Sequence, residues 1–215
     1  MQETHKRSYA GLSKEQRIQK RRLILIDTAM QLSDEIGWYQ LNVDRLCSKA
    51  KLNKRYFYES FSDLDALAGA VVDHVTSEIT QTIYQAIASK NTIEEMAYAT
   101  IHTFVHFVTD VPSRARLIFG DLSNNDAMAK HRKRLVNLLV TEITRNAREI
   151  HQPQNVSDST IETCALFLIG GTGQVILNWL DHQDDIPLTQ IIDDITTLWL
   201  ITGNGAAAHV KQNLS

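Results

Sequence analysis

The sequence predicts an all-α protein of about nine helices, on three observations. Only 3 prolines and 9 glycines punctuate 215 residues, apolar residues recur at spacings of three and four, and no pair of alternating runs flanks a hairpin turn. At 43% hydrophobic and 22% charged residues, the chain is long and apolar enough to bury a core of its own. Two cysteines, Cys47 and Cys164, make no disulfide framework, which points to a reducing, cytoplasmic setting. The longest apolar run, Cys164 to Leu180, carries Thr172, Gln174, Asn178 and three glycines, a poor composition for a membrane span.

Each element has its own signal. Ser13 and Gln16 have capping-box spacing, so a first helix starts there; Leu25, Ala29, Leu32 and Ile36 form its stripe and Gly37 ends it. Asn42 is a good N-cap for a short second helix, Val43 to Ala50, with Val43, Leu46, Cys47 and Ala50 inward. Lys51, Leu52 and Asn53 leave room only for a turn, and a third helix runs from about Lys54 to Ser60. Ser62 or Asp63 caps a fourth, which carries Leu64, Leu67, Ala68, Val71 and Val75 into the eighties.

Asn91 with Glu94 is expected to start the fifth helix, striped by Ile93, Ala97, Ile101, Phe104, Val105 and Val108 and broken at Asp110, Val111 and Pro112. A short sixth element, Ser113 to about Leu122, leads through the polar turn at 123–126 to a helix from about Asp126 to Ile150. Past the loop at 152–159, two more helices span about Ser159 to Asp181 and Pro187 to Ile201, and Gly203 and Gly205 are expected to stop the last one.

The net charge of -3 hides an asymmetry. Residues 1–61 hold 12 Lys/Arg and 7 Asp/Glu, leaving 10 against 18 for the rest. A basic end on an acidic body points to a polyanion that meets the N-terminal part alone. Two short helices joined by three or four residues, the second basic outward, have the proportions of a helix-turn-helix, whose second helix fits the major groove of DNA.

Roles follow from side-chain chemistry. Phe57 and Phe61 face the small core, Lys54, Arg55 and Tyr56 project outward, and Tyr58 lies on the flank. Arg55 has the fork for guanine O6 and N7, and Lys54 reaches guanine or phosphate. Tyr56 and Tyr58 offer hydroxyls to phosphate. Asn42, as a cap, leaves the first amides of the second helix free to point at a phosphate, and Asn53 joins this DNA-binding set. The basic run Lys14 to Arg22 steers toward the backbone without reading sequence.

On these residues the chain resembles the TetR (tetracycline-repressor-like) family of transcriptional regulators. The resemblance covers about residues 18–72, where Ala29, Gly37, Leu46 and Ala50 match the scaffold and Tyr58 and Phe61 match a Tyr followed three residues later by Phe. Asn42 stands where Thr is usual, Lys51 where Gly ends the second helix, Asn53 for Ser, and Arg55 for a small residue. Leu64 replaces a lysine, so one phosphate contact is missing, which Arg55 can supply. The resemblance implies a helix-turn-helix domain over 1–62 and a helical effector-binding and dimerisation domain over 63–215. It further implies a palindromic double-stranded operator and a small-molecule effector that releases a repressor.

The helix from Ser159 to Asp181 is apolar almost all round and must be covered on two sides. With the last helix it predicts a homodimer face including Phe167, Val175, Trp179, Ile195, Leu198 and Trp199. Gly170, Gly171 and Gly173 each cost about 1 kcal/mol there against Ala, offset either by close approach of a partner backbone or by room for a ligand. For the effector cavity the family implies, Tyr98, His102, His106, Phe107, Phe119, Gln174 and Asn178 are the candidate lining. His102, His106 and Asp110 fall on one helix face, but without cysteine or HExxH-like support they read as a polar edge or pocket lining, and no metal or cofactor is assigned. Cys47 on an inner face and Cys164 in an apolar run are poor nucleophiles, so no catalytic residue is assigned. The alternative to a regulator is an all-α enzyme or metal-binding protein whose N-terminal helices only pack.

Overall fold

The computed structural model describes residues 13–120, 126–151, 156–182 and 185–212. The turns expected at 123–126 and 152–159 lie largely outside them. Among the described residues there are nine α-helices, one turn of 3-10 helix and no strand: α1 (Lys14–Ile36), the 3-10 turn Trp38–Gln40, α2 (Val43–Ala50), α3 (Lys54–Ser60), α4 (Leu64–Ile87), α5 (Ile93–Thr109), α6 (Pro112–Phe119), α7 (Asp126–His151), α8 (Asp158–Asp181) and α9 (Leu188–Gln212).

The caps explain most boundaries. Ser13 and Gln16 close a full capping box on α1, and Asp63 rather than Ser62 caps α4. The α5 start is one residue later than expected, because Thr92 and Glu95 form the capping box while the Asn91 N–H donates to Glu95 as well. Those two backbone donors hold the Glu95 carboxyl below its ordinary range. α6 opens with Pro112 at its first position, where the missing N–H costs nothing, and closes at Gly120. The expected end of α9 near Ile201 is wrong: the helix continues through Gly203 and Gly205 to Gln212. A lone glycine weakens a helix by about 1 kcal/mol but leaves its hydrogen bond in place, and Ala206, Ala207 and Ala208 favour continuation.

α1 packs on α2, α3, α4 and α6, while α4, α5, α7, α8 and α9 pack on one another as the larger body. One apolar cluster runs without a break from Leu25, Leu46 and Phe57 through Leu67 and Val71 to Ile176, Ile192 and Ile195. Polar ties bridge the same seam: Arg116 pairs with Asp34 at 2.5 Å, joining α6 to α1, and His131 contacts Asp65 at 3.0 Å, joining α7 to α4. Gly69 admits that imidazole, since a Cβ there would lie 2.8 Å from His131 Cε1. By length and composition α8 could cross a membrane, but Ile161, Ala165, Leu168, Ile169 and Ile176 on it are buried against α6, α7 and α9.

Candidate functional site

α2 and α3 form a tight pair set by two asparagine caps. Asn42 Oδ1 accepts from the Arg45 N–H at 2.9 Å, and Asn53 Oδ1 accepts from the Arg55 N–H at 2.9 Å. Between them Lys51 occupies the left-handed region, φ 53 and ψ 40, which is the glycine's task at the end of a helix. The Leu52 N–H then reaches back to the Cys47 carbonyl at 2.9 Å. Phe57 is fully buried, Phe61 nearly so, and the Tyr58 ring stands edge-on to Phe57 at 5.2 Å while remaining 60% exposed.

The outward face of α3 is led by Arg55, whose side chain is 83% exposed. Its Nε donates to Glu59 Oε1 at 3.0 Å, an exposed pair that water screens and that holds little energy; the forked Nη groups have no hydrogen bond or ion pair among the described residues. Lys54 Nζ pairs with Asp44 Oδ1 at 2.5 Å, and that hydrogen bond holds its ammonium above the ordinary lysine range. The first turn of α3 thus carries two adjacent, solvent-facing cations.

Two expectations need correction. Tyr56 is half-buried, with the Arg21 guanidinium 4.0 Å over its ring, so only part of it faces outward. Arg21 also pairs with Glu59 at 3.1 Å, and Arg22 donates to the Ser60 carbonyl at 2.7 Å above the Phe61 ring. The end of the basic run therefore fastens α1 to α3, because α3 alone has seven residues and too few contacts of its own. Glu59, the shared anchor, escaped the sequence reading although its four-residue spacing from Arg55 is a helix-pair signal.

A cavity of about 290 Å3, half open to solvent, lies among the helices of the body. Ile83, Tyr84 and Ile87 of α4, Met96, Thr100, Ile101 and Phe104 of α5, Leu139, Glu142, Ile143 and Asn146 of α7, and Ile169, Thr172 and Trp199 wall it. Of the seven candidates only Phe119 lines it. Tyr98, His102, Gln174 and Asn178 are exposed, and His106 is half-exposed with its Nδ1 3.7 Å from Asp110. Phe107 is buried beneath the Arg114 guanidinium instead, 3.9 Å from its ring. The reason is one helical row: residues 97, 100, 101 and 104 of α5 face the cavity, and the row 98–102–106 beside it faces out. The His102 and His106 rings do stand 4.5 Å apart, yet among the described residues no group of three His, Cys, Asp or Glu has metal-binding geometry.

Two features shape the cavity. Gly173 lets the Phe119 ring lie on α8, since a Cβ there would come within 2.6 Å of Phe119 Cγ, and Trp199 Nε1 donates to Thr172 Oγ1 at 2.9 Å. At the α4–α7 edge, Arg145 Nη2 donates to Tyr84 Oη and to Glu142 Oε2, both at 2.6 Å, while the Tyr84 hydroxyl reaches Glu142 at 3.2 Å. Arg145 and then Tyr84 hold the Glu142 carboxyl below its ordinary range against the opposing effect of burial.

The outer face of α8 and α9 is apolar and bare. Phe167 is 72% exposed, Leu198 55% and Ile201 62%, and a Cβ at Gly170, Gly171, Gly203 or Gly205 would meet nothing within 4 Å. Of the six residues expected at a homodimer face, Phe167 and Leu198 are exposed on this side. Val175 and Trp179 are half-buried, Trp179 donating to the Ile186 carbonyl at 2.8 Å. Ile195 is 2% exposed inside the chain's own core and Trp199 turns to the cavity, both one row away from the outer face.

The architecture is all-α, with a helix-turn-helix head on a helical body. No protein-family model matches the sequence, and no curated protein matches it. Solved structures do. A protein assigned to the TetR family of transcriptional regulators from Syntrophomonas wolfei superposes with a TM-score of 0.73 at 14% identity, over 86% of this chain and 95% of that one. The fatty acid degradation regulator FadR from Bacillus halodurans gives 0.68 at 16% identity, over 84% and 94%. FadR from Bacillus subtilis, in complex with stearoyl-CoA, gives 0.66 at 15% identity, over 82% and 96%. The chain has the fold of the TetR-family transcriptional regulators.

Proposed function

We infer that the protein is a sequence-specific, double-stranded-DNA-binding transcriptional regulator rather than an enzyme, a cytoplasmic homodimer that acts as a repressor and is released by a small molecule. The observation that carries this reading is the 83% exposure of Arg55 at the outer face of the second helix of a helix-turn-helix, with Lys54 beside it. A helix fits the major groove, and a free guanidinium fork reads a guanine edge.

The remaining parts have matching tasks. Residues 1–62 are the reading head, and 63–215 the body that pairs and holds the effector. Pairing through the bare α8–α9 face places two heads against the half-sites of a palindrome, spaced by about one helical turn, roughly 34 Å. The cavity walled by α4 to α9 is the effector site, and Phe119 joins it to α6, whose Arg116 ties to α1. An effector favouring one arrangement of α6 would shift the population of dimers whose heads match the operator. The neighbouring FadR structure with stearoyl-CoA supports an organic ligand in such a body.

The test is a gel shift with the DNA upstream of the protein's own gene at two salt concentrations. A shift at low salt that survives excess random duplex supports the reading; no shift at low salt would leave a protein whose N-terminal helices only pack.

A further inference from the structure

Resting on the reading of the inner cavity as an effector site, its walls define the ligand's chemistry. The volume of about 290 Å3 is roughly twice the ~150 Å3 apolar void that takes one benzene ring, so the occupant has about a dozen non-hydrogen atoms. No lysine, arginine or histidine is among the described walls; the ionisable carboxylate is Glu142, and Tyr84, Phe104, Phe119 and Trp199 supply ring faces and edges. Glu142 stays ionised at neutral pH, its carboxyl lowered by Arg145 and Tyr84. Arg145 does not neutralise the edge, because the same guanidinium also serves Glu149 at 3.1 Å: two carboxylates share one cation.

An anion entering here gives up water, and the cation within reach, Arg145 at the α4–α7 edge, is already held by Glu142 and Glu149. A neutral body finds apolar contact. A cation finds that contact together with the partly exposed Glu142 carboxylate and aromatic faces, both of which attract it. An acyl-coenzyme A head, with its phosphates, has no counter-charge inside these walls.

We propose that the cavity takes a compact hydrophobic cation, an apolar body of about a dozen non-hydrogen atoms bearing one ammonium that sits beside Glu142 among the rings. The specificity-determining group is Glu142, and its setting by Arg145 and Tyr84 keeps it charged.

Three probes with one body and different heads test this: phenylbutylamine, phenylbutanol and phenylbutanoate, titrated calorimetrically into the full chain at neutral pH and low salt. The amine is expected to bind roughly ten-fold tighter than the alcohol, with the carboxylate weakest, and Glu142→Gln brings the amine to the alcohol's affinity. Equal or tighter binding of the carboxylate overturns the proposal, as does an amine preference that survives Glu142→Gln. The order on the unaltered protein decides by itself, so a variant that fails to fold leaves the test standing. The same titrations on a preformed DNA complex separate this proposal from the reading beneath it. Amine bound in the expected order without release of DNA removes the effector role and keeps the ligand class. DNA bound with none of the three probes recognised removes the ligand class and keeps the regulator.

Discussion

Arg55 donates from Nε to Glu59 Oε1 at 3.0 Å, one turn along α3, while the other oxygen of that carboxylate takes Arg21 from α1 at 3.1 Å. Glu59 thereby aims the guanidinium by its inner edge and leaves the fork outward. On this geometry Arg55→Ala costs about 1–3 kcal/mol at particular base pairs and little on random duplex, whereas Lys20→Ala weakens both alike and lowers the salt slope by about one. Fluorescence anisotropy on specific and random duplex across a salt series checks both. Equal loss on the two duplexes for the Arg55 change would remove base reading from its role.

Lys51 sits at φ 53 where a glycine usually ends such a helix. A left-handed conformation costs a non-glycine residue about 1–2 kcal/mol, partly offset by the greater freedom a glycine has when unfolded. Lys51→Gly is therefore expected to raise the melting temperature by about 2–4 °C, and Lys51→Val to lower it, since a β-branched residue resists positive φ more strongly. Thermal unfolding followed by circular dichroism measures this; a glycine variant that melts lower would mean that the Lys51 side chain contributes contacts outweighing the strain.

The boundaries of α2 and α3 were legible because Asn42 caps the first and the turn between is too short for any other state; the Asn53 cap of α3 came from the structure. The outward position of Arg55 was legible for the same reason, since seven residues of helix with Phe57 inward fix the rest of the face. The cavity was not. Its lining comes from six helices, and a helix such as α5, apolar over more than half its girth, gives no sequence signal for which row meets its neighbours; a choice one row off exchanged Thr100 and Phe104 for Tyr98 and His102. Glycine was equally ambiguous. Gly173 makes room for a ring, Gly170 and Gly171 leave bare backbone, and Gly203 and Gly205 interrupt nothing, distinctions that rest on what lies opposite each.

Phe119 against Gly173 gives a reciprocal test. Gly173→Ala forces the ring off α8 and costs about 1–3 kcal/mol as overpacking, against a helix-propensity gain of about 1 kcal/mol. Phe119→Leu alone loses apolar contact, but combined with Gly173→Ala it restores space, so the double variant is more stable than the two single effects sum to. Denaturant unfolding of the four proteins measures the coupling. Strict additivity would mean that the ring and α8 do not press on one another.

Glu142 makes part of the stability depend on pH. Its carboxyl is lowered in the folded protein by Arg145 and Tyr84, so the contribution is present above its unfolded value near 4.5 and is lost as pH falls below that toward the folded value. The group is partly exposed, which keeps the effect below about 1 kcal/mol. Arg145→Met is expected to destabilise the protein slightly at neutral pH and hardly at all well below pH 4.5. Unfolding measured over that range decides it; a penalty that grows on acidification would contradict the assigned direction.

The bare backbone of α8 offers a way to separate pairing from folding. A Cβ at Gly171 meets nothing of its own chain within 4 Å, and leucine is the better helix former by nearly 1 kcal/mol, so Gly171→Leu is expected to leave the isolated chain about as stable. A second copy brought against α8 has to approach that same backbone closely, and the added branch holds it off, as a charge does in Phe167→Glu. Both variants are expected to sediment as monomers and to bind the palindrome no better than a single half-site, with helical content unchanged. The two differ in one informative respect: if Phe167→Glu dissociates the protein while Gly171→Leu does not, the copies meet over the Phe167 end of α8 and stay apart at the glycines, whereas dissociation by both places the helix crossing at Gly170 and Gly171.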